Sequence, residues 1–100
     1  MPYTYSRCQN LSSASIGPNV VNLYETFAYA TNLKEVEFIE NPNRTNMVMN
    51  NTFRNCSSLE HIILPSGISS MQGAFQSCTN LKCIEFTNLT SLPYTSYVTF

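Results

Sequence analysis

Five side chains in this sequence could carry chemistry beyond packing: His61, the only histidine, and the cysteines Cys8, Cys56, Cys78 and Cys83. A thiol beside an imidazole is the smallest arrangement that makes an activated nucleophile. Thiols and imidazoles in short paired spacings would instead hold zinc, but one histidine and no Cys-x-x-Cys pair match no such pattern. Four cysteines in so short a chain would also fit a disulfide framework. A phosphate cradle needs clustered glycines, and Gly17, Gly67 and Gly73 are scattered. Asn-x-Ser/Thr triplets begin at Asn10, Asn43, Asn50, Asn55 and Asn88, with Asn43 the most accessible in a long loop. No cofactor or metal is implied by these spacings. Which of the groups meet depends on the elements that carry them.

At 100 residues the chain has room for one domain, and its 43% hydrophobic content is enough for a packed core. Five Lys/Arg against six Glu leave a net charge of −1, without the basic footprint that nucleic-acid binding needs. No apolar stretch approaches a membrane span, so no membrane insertion is expected. The segment Met1-Pro2-Tyr3-Thr4-Tyr5 lacks a basic run followed by an apolar one, so no signal peptide is expected. Twelve Asn and twenty-two Ser/Thr favour turns, because their side chains bond nearby backbone groups. Many turns in a short chain imply many short elements, and hence a repeat.

The repeat is anchored on Phe27, Phe53 and Phe75, with Tyr5 as a weaker first copy, at spacings of 22, 26 and 22 residues. Cys8, Ala30, Cys56 and Cys78 follow the anchors by three residues, and Leu11, Leu33, Leu59 and Leu81 by six. Then come Ala14, Val36, Ile62 and Ile84, and two residues on, Ile16, Phe38, Leu64 and Phe86. Leu23, Met49 and Met71 stand four residues before their anchors. From anchor to leucine the spacing of three predicts a short helical or 3₁₀ turn; the final spacing of two predicts a strand. Each unit therefore reads as helical turn, tight bend, short strand and return loop, stacked on its neighbours to share one core. The return loop at Asn41 to Asn46 carries four extra residues.

The strand segment has the form Leu-x-x-[Ile/Val]-x-[Leu/Phe]. With the aromatic anchor and the small Cys/Ala, the unit resembles the BspA-type leucine-rich repeat of bacterial surface proteins. The resemblance runs from Tyr5 to Phe86 and is most specific from Met49 to Phe86, where Leu64-Pro65-Ser66-Gly67 and Gly73-Ala74-Phe75 also fit. It implies an α/β fold: a right-handed leucine-rich-repeat solenoid with a short parallel sheet and helical or 3₁₀ turns, used mainly for binding. The chain reads as a single solenoid of three to four repeats over 1–100, with units at about 5–26, 27–52, 53–74 and 75–100. Neither end carries an evident cap, so further repeats or subunits are expected to stack at both. Tyr97 or Phe100 would then be a next anchor, or the tail from Tyr94 would fold back as a crude cap.

In each strand the residues flanking the Ile/Val column point away from the core. These exposed columns hold Glu35, Glu37, His61, Ile63, Cys83 and Glu85, a mildly acidic face with an apolar centre and the expected partner-binding residues. Lys34, Glu60 and Lys82 alternate in sign along the next column. Cys8, Cys56 and Cys78 share an interior column with Ala30, which asks only for a small apolar side chain; the registration argues against disulfides. Cys83 instead falls beside His61, but no Asp is present to orient the imidazole and no oxyanion hole is apparent, so no catalytic residue is assigned. The expected function is a non-catalytic protein-binding or adhesion module of a leucine-rich-repeat surface protein, with a protein or glycan partner and a cell-surface or extracellular location. The alternative is a structural component of an assembly such as a viral tail or appendage.

Overall fold

The computed structural model describes residues 2–87. Six short strands follow one another: β1 (Ser13–Ile16), β2 (Glu35–Phe38), β3 (Met47–Val48), β4 (His61–Leu64), β5 (Ile68–Ser70) and β6 (Cys83–Phe86). All the pairings are parallel and join successive copies: β1 with β2, β3 with β5, and β4 with β6. The expected strand columns therefore hold, with Ala14 opposite Val36 and Ile62 opposite Ile84. The expected return loops are more ordered than their sequence implied, because Met47–Val48 and Ile68–Ser70 pair there as strands. The tail from Leu89 to Phe100, with its candidate anchors and cap, and the triplet at Asn88 lie outside the described residues.

The expected helical turns are absent: no helix occurs among the described residues. From Leu23 to Ala30 the backbone amides alternate between two kinds of partner. The N–H groups of Glu25, Phe27 and Tyr29 donate to the carbonyls of Asn50, Thr52 and Arg54 in the next copy, at 3.1, 3.0 and 2.7 Å. Those of Thr26, Ala28 and Ala30 close turns onto Leu23, Glu25 and Phe27. The third-residue rhythm survives as hydrogen-bonded turns, but a helix cannot propagate once every second amide belongs to the neighbouring copy. The alternation places Glu25, Asn51 and Gly73, and again Tyr29, Asn55 and Ser77, at positive φ. Gly73 suits this conformation, and a Cβ there would also collide with the Asn51 side chain.

The core is built from the repeat columns. The rings of Tyr5 and Phe27, Phe27 and Phe53, and Phe53 and Phe75 stack with centroids 5.6, 5.7 and 5.5 Å apart and planes within 13° of parallel. Leu23, Leu33, Met49, Leu59 and Met71 fill the space around them and are fully buried. Thr52 is buried one place before its anchor, and its hydroxyl donates to the Leu23 carbonyl at 2.7 Å.

One junction departs from the stack. β2 and β4 lie side by side, but no ladder joins them. The extra loop residues fall in this copy, and Arg44 holds them in place. Its guanidinium donates to the carbonyls of Pro18, Gly17 and Ile39 at 3.1, 2.8 and 3.2 Å, and the residue is 4% exposed. Burial lowers the Arg44 pKa, while the nearby Glu40 carboxylate offsets part of that shift. Glu40 accepts from the Ser66 hydroxyl at 3.0 Å, tying the loop to the following copy. Asn32 and Asn80 each donate a side-chain amide to the preceding copy, to Gln9 and Ser57 carbonyls. Ser58 holds the same column at the junction and is too short for that reach.

Phe53 is stacked on both sides and fully buried, so Phe53→Ala should destabilise by about 3–5 kcal/mol in urea unfolding. Arg44→Met should cost about 1–3 kcal/mol by removing the charged hydrogen bonds to the part-buried carbonyls of Gly17, Pro18 and Ile39. Arg44→Lys should recover little of this, because a point charge cannot span three carbonyls.

Candidate functional site

The expected partner-binding residues all lie on one strand face, and all six are exposed. Glu35 and Glu37 stand on β2 opposite Ser13 and Ser15 of β1. His61 pairs in register with Cys83, and Ile63 with Glu85, across β4 and β6. The core-facing side chains alternate with them, because successive strand residues point to opposite faces.

The gap between β2 and β4 opens this face into two shallow depressions. One is lined by Val36, Glu37, Phe38, Glu40, Ile63, Pro65 and Thr87. The other is lined by Lys34, Glu35, Val36, Glu60, His61, Ile62 and Ile63. Ile63 borders both and is 48% exposed. Acidic groups surround this apolar centre. The expected Lys34–Glu60–Lys82 ladder forms only in part: Lys82 Nζ lies 3.0 Å from Glu60 Oε1, and among the described residues no ion pair joins Glu60 to Lys34. The break falls at the unpaired β2–β4 junction. The Lys82 hydrogen bond and charge hold the Glu60 carboxyl below its ordinary range, with a smaller contribution from the charge of Lys34.

His61 and Cys83 meet as the register required, and a third group joins them. His61 Nε2 lies 3.5 Å from Glu85 Oε1, and the Cys83 thiol points at the same oxygen from 4.0 Å. Sequence reasoning placed all three on the exposed columns and assigned the imidazole no orienting carboxylate. The signal was available: Glu85 is two residues beyond Cys83 on the same strand face.

The interior thiols behave differently. Cys56 Sγ donates to the Phe27 carbonyl at 3.2 Å, and Cys78 Sγ to the Phe53 carbonyl at 2.9 Å. Each thus bonds the anchor of the preceding copy, an additional reason for a small polar-capable side chain in this column. Burial pushes the Cys56 thiol up to about 12 and the Cys78 thiol up to about 11. Cys8 corrects the expectation of a third interior thiol: it is exposed, because the first described copy has no earlier anchor above it. All four cysteines are free.

Short parallel strands, a stacked aromatic column and regular inter-copy bonding define a leucine-rich-type repeat fold. A family model described as "BspA type Leucine rich repeat region (6 copies)" matches residues 1–99. The chain belongs to that family, whose repeats serve as interaction modules and are typically associated with surfaces. Comparison with curated proteins gives no match, and comparison with solved structures gives none. Among the described residues, no helix is long and apolar enough to cross a membrane.

Iodoacetamide at pH 8 should label Cys8 and Cys83 in the folded chain and reach Cys56 and Cys78 only after denaturation; peptide mass mapping distinguishes them. Both interior thiols have raised folded pKa values against an ordinary 9.0. Their neutral form is favoured by folding, so the associated stability is intact below pH 9 and is lost as pH climbs toward 11 and 12.

Proposed function

We propose that the chain is a non-catalytic binding module of a leucine-rich-repeat surface protein, a right-handed solenoid that engages a protein partner through its exposed strand columns. The units are about 5–26, 27–52, 53–74 and 75–100, within a longer chain or assembly. The observation that carries this reading is the exposed Ile63 beside Val36, Phe38 and Pro65, rimmed by Glu37 and Glu40. An apolar centre with a polar rim is the usual anatomy of a protein interface, and the acidic rim selects a basic partner surface. Separated carboxylates around an exposed apolar centre support a protein more than a glycan. Glu35, Glu37, His61, Ile63, Cys83 and Glu85 form the contact set, and adhesion at the cell surface is the setting that fits the family.

A second reading, a structural component of an assembly such as a viral tail or appendage, draws on the first copy. Tyr5 stacks one ring face on Phe27 and remains 40% exposed, where another aromatic anchor could stack. Light scattering coupled to size exclusion separates the readings: a binding module runs as a monomer, and an assembly piece self-associates.

On an array of purified proteins and glycans, the chain should retain basic proteins. The variant Glu35→Lys/Glu37→Lys/Ile63→Ser should lose that retention while keeping the parent's circular dichroism. Retention unchanged in the variant would move the binding surface away from these columns.

A further inference from the structure

The His61, Cys83 and Glu85 cluster offers one nitrogen, one sulfur and one oxygen donor that lie within 4.8 Å of one another. We propose that these three side chains form a surface site for a zinc-like divalent cation, with a fourth coordination position left open.

The donor set decides the class of metal. Thiolate and imidazole favour borderline-soft cations such as zinc, whereas magnesium and calcium prefer oxygen alone. Around tetrahedral zinc, with bonds of about 2.0–2.3 Å, neighbouring donors stand about 3.3–3.6 Å apart. His61 Nε2 and Glu85 Oε1 are already 3.5 Å apart. Cys83 Sγ is 4.0 Å from the same oxygen and within 4.8 Å of the imidazole nitrogen, gaps that rotation of the exposed Cys83 and His61 side chains has to close. All three residues are exposed, so the adjustment disturbs no core packing.

The backbone beneath them is fixed. His61 and Cys83 are register partners, and the ladder is closed on one side by Lys82 N–H to Glu60 at 2.8 Å and on the other by Thr87 N–H to Leu64 at 2.9 Å. Ligands carried on paired strands lose little freedom on binding metal. The surroundings favour a cation: Glu35 lines the same depression as His61, and the Lys82 charge is paired with Glu60, although Lys34 also borders that depression. Among the described residues no other group of three metal-ligating side chains comes together. On binding, Cys83 releases its proton to solvent and the thiolate sulfur donates to the metal; no redox change is involved. The open position takes water or a donor from another molecule. The site needs no protein partner, so it stands or falls independently of the binding reading above.

The test is cobalt(II) titration of the full chain carrying Cys8→Ser, which removes the other exposed thiol. One equivalent should produce a thiolate-to-cobalt charge-transfer band and intense tetrahedral visible bands, both displaced by one equivalent of zinc. Cys83→Ser should abolish the charge-transfer band. His61→Ala and Glu85→Gln should each weaken binding by roughly tenfold or more. Circular dichroism matching the parent confirms folding in each variant. Absence of the band, its persistence in Cys83→Ser, or affinity unmoved by His61→Ala and Glu85→Gln would overturn the proposal.

Discussion

Backbone hydrogen bonds between successive copies hold parallel segments about 4.8 Å apart, and every side chain in a column must repeat at that interval or yield. Flat aromatic rings repeat well at this spacing, and Tyr5, Phe27, Phe53 and Phe75 form a nearly parallel stack. Small thiols also repeat well, because each can reach the carbonyl of the anchor before it. Thr52, Asn32 and Asn80 likewise donate to other carbonyls of the preceding copy, those of Leu23, Gln9 and Ser57. A polar, weakly charged composition is thereby reconciled with a tightly bonded interior.

The same constraint explains the one irregular junction. A copy four residues longer than its neighbours cannot return to the strand face in step with them. The excess is gathered in the loop around Arg44, whose planar fork ties together the carbonyls of Gly17, Pro18 and Ile39. Pairing is kept at β3 with β5 and lost between β2 and β4. The lost pairing leaves Ile63 between two depressions and gives the strand face a relief that a uniform ladder would lack.

The candidate face follows from alternation along the strands. Exposed and core-facing residues interleave, so six polar or apolar side chains are displayed without weakening the core. Parallel register then brings together groups distant in sequence: His61 meets Cys83 because they are one repeat apart, and Glu85 joins them because it is two residues farther along the same strand.

The anchors, the cysteine and leucine columns and the final two-residue spacing were legible in the sequence, because stacking makes the same demand on every copy. Strand register and the exposure of Glu35, Glu37, His61, Ile63, Cys83 and Glu85 follow from that periodicity. The helical turns did not survive, because spacing cannot reveal which amides a neighbouring copy will take, and here it takes every second one. Nor could periodicity reveal the buried Arg44 or the open β2–β4 junction, and it placed Glu85 on the face of His61 without fixing the 3.5 Å contact between them. Each depends on how copies of unequal length meet, or on side-chain reach between neighbouring strands. The sequence by itself determined the repeat and its inward and outward faces, through a periodicity that burial imposes; only the tertiary structure decided where the stack parts and which exposed groups touch.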